Sequence, residues 1–285
     1  MISPPDDRHR PVEHYENFPV ASWLCPPRLR RPVAAIYWFA RTADDIADEG
    51  DATSGERLAD LFTYRNDLSA SLAGNRVSAR WHSLFAALNT ASVEFALPDP
   101  PLFDLLDAFR QDVEKTRDGA GYADRAELLD YCRRSANPVG RLLLHLYGVH
   151  EPRALAESDA ICSALQLINF WQDLSVDLPR RRYYLPAQDC RRHGIDPDAP
   201  STWAAHPQGP ALVRELCGWA RELMLSGAPL VHRIPGRAGW ELRLVVQGGL
   251  QVLRRIERMH HRTFTQRPKL DATDVPAMLW RAVRM

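Results

Sequence analysis

Several features that would announce a common architecture are missing from this sequence. Cysteine occurs five times in 285 residues, as Cys25, Cys132, Cys162, Cys190 and Cys217, scattered and never as a C-x-x-C pair. That excludes a disulfide scaffold or zinc framework and fits small core residues in a reducing cytoplasm. Neither sign of charge is in excess: 36 basic residues balance 36 acidic ones, so nothing argues for a nucleic-acid partner. No apolar run approaches the ~18 residues of a membrane span, and Met1 to Asp7 has no apolar core of the signal-peptide kind. Alternating strand-like runs are absent. So is a G-x-G-x-x-G fingerprint after a strand, since Gly236-x-x-Gly239 and Gly248-Gly249 lie in helical context. The expectation is a soluble cytoplasmic protein with no nucleotide-binding sheet.

What is present is helical periodicity nearly throughout. Pro26-Pro27 and Pro32 open a helix that runs through Val33, Ile36 and Tyr37 to the acidic cluster Asp44 to Glu49. Helices are predicted from a cap at Ser54, over 78–95, over 102–116, over 126–147 with a kink at Pro138, and from Pro152. An irregular stretch over 179–207 precedes helices over 210–232 and 236–261 and a short one from Asp274. Asp118 to Gly121 reads as a neutral surface turn, and Arg237 with Glu241 as an internal helical ion pair. The reading is one all-α domain, residues 1–285, of roughly eight to ten helices.

Asn169, Asp173 and Asp177 stand at i, i+4 and i+8 after the apolar run 161–168, which stacks three oxygen ligands on one helix face. Charges emerging from a buried element need a partner, and a divalent cation is one. Asp44 and Asp48 repeat the spacing about 130 residues earlier. A solvated helix end would explain one such cluster, but two columns, each after an apolar helix, are a different matter. Acidic groups at a helix C-terminus also oppose the macrodipole. Mg²⁺ takes one or two carboxylates and completes its octahedron with water and phosphate oxygens, so facing columns point to several Mg²⁺ ions clamping a diphosphate. The matching chemistry is heterolysis of an allylic or cyclopropylcarbinyl diphosphate, with the cation held in a dry cavity by aromatic faces. Phe18, Trp23, Tyr37, Phe39, Tyr131, Phe170 and Trp171 are candidate lining residues.

Three segments carry a resemblance: Tyr37-Trp38-Phe39-Ala40-Arg41-x-x-Asp44-Asp45-Ile46-Ala47-Asp48, Tyr131-Cys132-x-x-x-Ala136-x-x-Val139-Gly140, and Asn169-x-x-x-Asp173-x-x-x-Asp177 with Arg182-x-Tyr184-Leu185-Pro186. Together they resemble the squalene and phytoene synthase family, in its order and near its spacing, over residues 14 to 260. The resemblance implies a single-domain isoprenoid (terpenoid) synthase helical fold with a central cavity. It implies Mg²⁺ on Asp44, Asp48, Asn169, Asp173 and Asp177, diphosphate held by Arg41, Arg182 and Tyr184, and Tyr131 beside the reacting carbons. Catalysis would then rest on Tyr131, Arg41, Asp44 and Asp173, with Phe18, Asn137 and Gln172 also touching substrate.

His14-Tyr15-Glu16-Asn17-Phe18-Pro19-Val20-Ala21-Ser22, Ser135-Ala136-Asn137-Pro138-Val139-Gly140 and Asn169-Phe170-Trp171-Gln172-Asp173 resemble one subgroup. These are the bacterial hopanoid-pathway enzymes that hydrate presqualene diphosphate to hydroxysqualene. Gln172 stands where most of the family has Arg, Val176 where it has Glu, and Asn137-Pro138 where it has Gly-Thr. Those departures put condensation of two farnesyl diphosphates in doubt and leave ionisation intact. Water capture needs no nicotinamide, and Asn137, Gln172 or a backbone group could hold the water. The resemblance also implies links to a presqualene diphosphate synthase and a hydroxysqualene reductase. The alternatives are head-to-head condensation of two prenyl diphosphates and a non-catalytic helical assembly factor. The basic cluster Arg254-Arg255 to Arg262 allows peripheral contact with anionic lipid, beside the plainer reading of a solvated face.

Overall fold

A computed structural model describes residues 25–234 and 236–285. Among these residues there is no strand, only an isolated bridge between Tyr122 and Pro186. The helices are α1 (Pro27–Asp48), α2 (Ser54–Leu72), α3 (His82–Phe95), α4 (Pro100–Asp118), α5 (Arg125–Ser135), α6 (Asn137–Leu146) and α7 (Pro152–Gln172). They continue as α8 (Leu174–Asp177), α9 (Ala187–Arg192), α10 (Gly209–Gly227), α11 (Gly236–Arg258) and α12 (Val275–Val283), with short 3-10 turns between some of them. No helix among the described residues is long and apolar enough to cross a membrane.

Two apolar cores form. Helices α1 to α3 and most of α4 build one, around Phe39, Tyr64 and Phe85. The other is centred on α7 and takes in α5, α10 and α11. Helix α6 feeds both, sending Leu144 into one and Leu142 and Leu146 into the other. Helix α7 has almost no polar face, as suits a helix packed on several sides, here by α10, α6, α11 and α5. Its approach to α10 depends on Gly227, where an added Cβ would overlap the Glu157 carbonyl oxygen and meet Ile161 Cγ1 at 2.7 Å. Backbone cannot yield as a side chain can. Gly227→Ala is therefore expected to destabilise by about 2–3 kcal/mol or more, seen as a lower thermal midpoint; a midpoint equal to the parent's would show that the helices part freely here.

Two local expectations change. The cap of α2 is Thr53 rather than Ser54: its hydroxyl accepts from the Glu56 N–H while Glu56 accepts from the Thr53 N–H, a reciprocal capping box. Pro138 does not kink one long helix. The chain breaks at Ala136, and Pro138 falls in the first turn of α6, where its missing N–H leaves no bond unmade.

Candidate active site

Helix α1 carries Arg41, Asp44, Asp45 and Asp48 on its last turns. Arg41 reaches Asp44 at 3.0 Å and Asp45 at 2.9 Å, so the two carboxylates share one guanidinium. Asp48 ends the helix and pairs with Arg182 at 2.5 Å. That ion pair joins residues 134 apart and brings the first acidic cluster against the chain that follows the second.

The second cluster does not lie on one continuous helix, as the i, i+4, i+8 pattern predicted. Helix α7 stops at Gln172, Asp173 leaves helical geometry (φ −102°, ψ 11°), and α8 supplies a single turn ending at Asp177. Each carboxylate residue nonetheless keeps its i−4 bond: Asp173 N–H to the Asn169 carbonyl and Asp177 N–H to the Asp173 carbonyl, both 2.9 Å. The break is braced by Ser175 N–H donating to the Thr263 carbonyl at 3.0 Å. Beyond it Arg181 adopts a left-handed conformation (φ 60°), which costs a non-glycine residue about 1–2 kcal/mol. The turn sends Arg182 back, its N–H bonding the Asp177 carbonyl and its guanidinium facing Asp48.

Burial and like charge both act on the carboxylates gathered here. Burial, then repulsion from Asp173 and Asp48, pushes Asp177 up to about 7 against the pull of Arg182 and Arg180. Burial also raises Asp173, opposed by Arg267. Asp112, on α4, is pushed up to about 7, first by burial and next by the charges of Asp48 and Asp44, with Tyr131 and Arg182 acting the other way. Asp112 keeps some surface as a residue, but enough protein surrounds its carboxyl for burial to lead. Such groups favour a bound cation. Among the described residues no three Asp, Glu, His or Cys side chains converge to hold an ion unaided. The hard oxygen donors fit Mg²⁺ only with phosphate oxygens completing its shell, which is how that ion usually binds.

An aromatic box adjoins the carboxylates. Tyr184 stacks on Phe170 at 3.7 Å between centroids and 9° between planes, and both rings lie within about 6.3 Å of Tyr131. Tyr122 closes the set, 5.6 Å from Tyr131 and 6.0 Å from Tyr184. Tyr131 donates to Asp112 Oδ2 at 2.5 Å. Burial lifts its hydroxyl well above the usual phenol range, and the Asp112 charge adds to that.

The structure thus gathers Arg41, Asp44, Asp48, Asp173, Asp177, Arg182, Tyr131 and Tyr184, with Asn169 one turn before Asp173. Phe18 and Trp23 lie outside the described residues. Phe39 belongs to the other core, stacked on Tyr64. Gln172 donates its side-chain amide to the Pro268 carbonyl at 2.7 Å. Asn137 is buried, its carbonyl oxygen accepting from Ser163 of α7 at 2.9 Å. Glu241 is buried, and its charge adds to burial, the larger cause, in raising Cys25 and Tyr147.

Three residues had escaped the sequence reading. Asp112 sits mid-helix among other charges, and no spacing distinguishes it. Tyr122 is delivered by the turn after α4, so that turn is not neutral: Ala187 N–H bonds the Tyr122 carbonyl at 2.8 Å and pins it to the Arg182 loop. Arg267 reaches Asp173 with two bonds, 2.5 and 3.0 Å, from 94 residues away.

The family model for squalene/phytoene synthase matches residues 12–274. The chain belongs to the squalene/phytoene synthase family. It is an enzyme of that family. A hydroxysqualene synthase of Rhodopseudomonas palustris is 34% identical over 262 residues, 90% of this chain and 85% of the relative. Another, from Sinorhizobium fredii, is 34% identical over 82% of this chain and 76% of its own. Among solved structures, the squalene synthase HpnC of Alicyclobacillus acidocaldarius superposes with a TM-score of 0.77 at 33% identity, covering 87% of this chain and 90% of that one.

Proposed function

We propose that this enzyme ionises presqualene diphosphate, lets the cation rearrange, and captures it with water to give hydroxysqualene and diphosphate. The observation that carries the reading is the 2.5 Å Asp48–Arg182 pair, which sets both acidic clusters and a cation beside the aromatic box. When bound, Mg²⁺ supplies the charge that a departing diphosphate needs, and Asp44, Asp48, Asn169, Asp173 and Asp177 are the residues we assign to it. Arg41 and Arg182 hold diphosphate oxygens in this reading. In this reading the cation lies beside Tyr131 and its neighbouring rings, on the faces left free by the Phe170–Tyr184 stack and by Lys115 over Tyr122. An aromatic face stabilises it without trapping it. Tyr131, kept protonated by burial, stays a hydrogen-bond donor throughout.

Hydration is redox-neutral, so the scheme needs no nicotinamide: the C–O bond to diphosphate breaks, water forms the new C–O bond, and its proton leaves to solvent or diphosphate. Gln172, engaged with Pro268, places no cation where a second diphosphate would need one. That supports hydration over condensation of two prenyl diphosphates. A synthase making presqualene diphosphate and a reductase consuming hydroxysqualene are the reactions expected on either side. The test is incubation of purified enzyme with Mg²⁺ and either presqualene diphosphate or farnesyl diphosphate. Hydroxysqualene from the first alone, without NADPH, is expected. Conversion of farnesyl diphosphate to presqualene diphosphate would overturn the assignment.

A further inference from the structure

Large apolar side chains left exposed among the described residues are unevenly spread. Trp38, Phe62, Val93 and Leu225 are scattered over α1, α2, α3 and α10, whereas Trp240, Leu270, Val275, Leu279, Trp280 and Val283 all lie in α11 and the chain after it. Helix α12 accounts for most of them. Ala282 is buried against α11, where Arg243 donates to the carbonyls of Ala282 and Met285 at 3.3 Å and Arg281 reaches Gln251 at 2.8 Å. On the outward side Val275, Leu279 and Val283 succeed one another at one-turn spacing, with Trp280, 59% exposed, beside them. A helix that needed only to pack on α11 would turn polar residues outward.

The charged side chains that α12 and the residues after it carry have one sign. From Val275 to Met285 the only charged side chains are Arg281 and Arg284. Arg284 lies 4.2 Å over the Trp280 ring and Arg243 4.8 Å over that of Trp240. The Arg243 bonds to the C-terminal carbonyls set Trp240 near the end of α12. Arg254 lies close enough to Arg281, Arg221 and Arg258 for their charges, after burial, to lower its hold on its proton. The neighbouring acids Asp271 and Asp274 are both paired with Arg255. Aliphatic residues on one helix face, tryptophans at its edge and a rim of arginines are what an interfacial helix presents to anionic headgroups.

We propose that the outward face of α12, with Trp240 and Trp280, docks the enzyme on an anionic lipid bilayer. The basic cluster from Arg254 to Arg262 begins beside this helix, where Arg254 of α11 and Arg281 of α12 both donate to Gln251 Oε1, at 3.0 and 2.8 Å. The segment joining α11 to α12 also carries Arg267 and Pro268, which hold Asp173 and Gln172. Docking therefore sets one edge of the active site beside the bilayer, where a C30 diphosphate and its alcohol partition. That consequence rests on the function proposed above; docking itself does not.

Flotation of the full chain with phosphatidylcholine vesicles, with and without added phosphatidylglycerol, tests this without any turnover. Binding only to the anionic vesicles, weakened by salt, is expected. Leu279→Glu and Trp280→Ala should each weaken it by roughly tenfold or more, with circular dichroism unchanged. Val93→Glu, at a still more exposed apolar site on α3, should bind like the parent. Absence of binding to anionic vesicles, or binding that Leu279→Glu leaves intact, would overturn the proposal. So would a parent dimer in sedimentation that Leu279→Glu splits while neither protein floats, since the face would then belong to a second copy of the chain.

Discussion

Asp48→Asn is expected to lower turnover of presqualene diphosphate by about 10²–10³-fold while leaving the helices intact. The substitution keeps the size of the side chain and removes one charge, at the point where the first acidic cluster meets the second. Arg182 loses its 2.5 Å partner, and the site loses one oxygen ligand that we assign to Mg²⁺. Stability should change little, because an anion at a helix C-terminus opposes the macrodipole and its removal offsets part of the lost ion pair. Product analysis, a Mg²⁺ titration displaced to higher concentration and an unchanged circular dichroism spectrum would together bear this out. Full turnover would show that Asp48 serves only to pair Arg182, and unfolding would show a structural role mistaken for a metal one.

The second large effect concerns Asp112. Its carboxyl accepts the Tyr131 hydroxyl at 2.5 Å, and this bond ties α4 to the aromatic box. Asp112→Ala leaves a buried donor without its acceptor, a loss of about 1–3 kcal/mol in stability. It also frees the Tyr131 ring to leave its place near Phe170 and Tyr184, and a misplacement near 1 Å can cost on the order of 10²-fold in rate. Turnover of Asp112→Ala is accordingly expected to fall by about 10²-fold. Asp112→Asn, whose amide oxygen can still accept, should recover a large part of the loss. A double-mutant cycle with Tyr131→Phe separates the explanations. If Asp112 acts by positioning Tyr131, adding Asp112→Ala to Tyr131→Phe costs little more than either alone. Independent, additive losses would mean that Asp112 acts on the substrate or its ions directly.

Much of this site was legible because its key residues recur at a helical spacing. Asp44 with Asp48, and Asn169 with Asp173 and Asp177, could be read as oxygen ligands from the i, i+4 interval and the apolar segments before them. The interval survived even where the helix did not: the chain breaks at Asp173, yet the i−4 hydrogen bonds persist on both sides. Local hydrogen-bond register is a property of neighbouring residues, so sequence can carry it.

Asp112, Tyr122 and Arg267 show the opposite case. Each reaches the site from another part of the chain: Asp112 from mid-helix, Tyr122 through a turn pinned 65 residues further on, Arg267 across 94 residues. Gln172 shows the same rule in reverse. Its neighbours in sequence set it beside Asp173, while its amide is held by the Pro268 carbonyl, 96 residues away.

By itself the sequence determined an all-α chain of this family and the two acidic clusters to which we assign its chemistry, since periodicity and spacing are local properties. Only the tertiary structure decided that the clusters face each other through Asp48 and Arg182, that three rings pack around Tyr131, and that α12 turns apolar residues outward. Those outcomes depend on which buried surfaces and charges meet, and that is settled by packing between segments far apart in the chain.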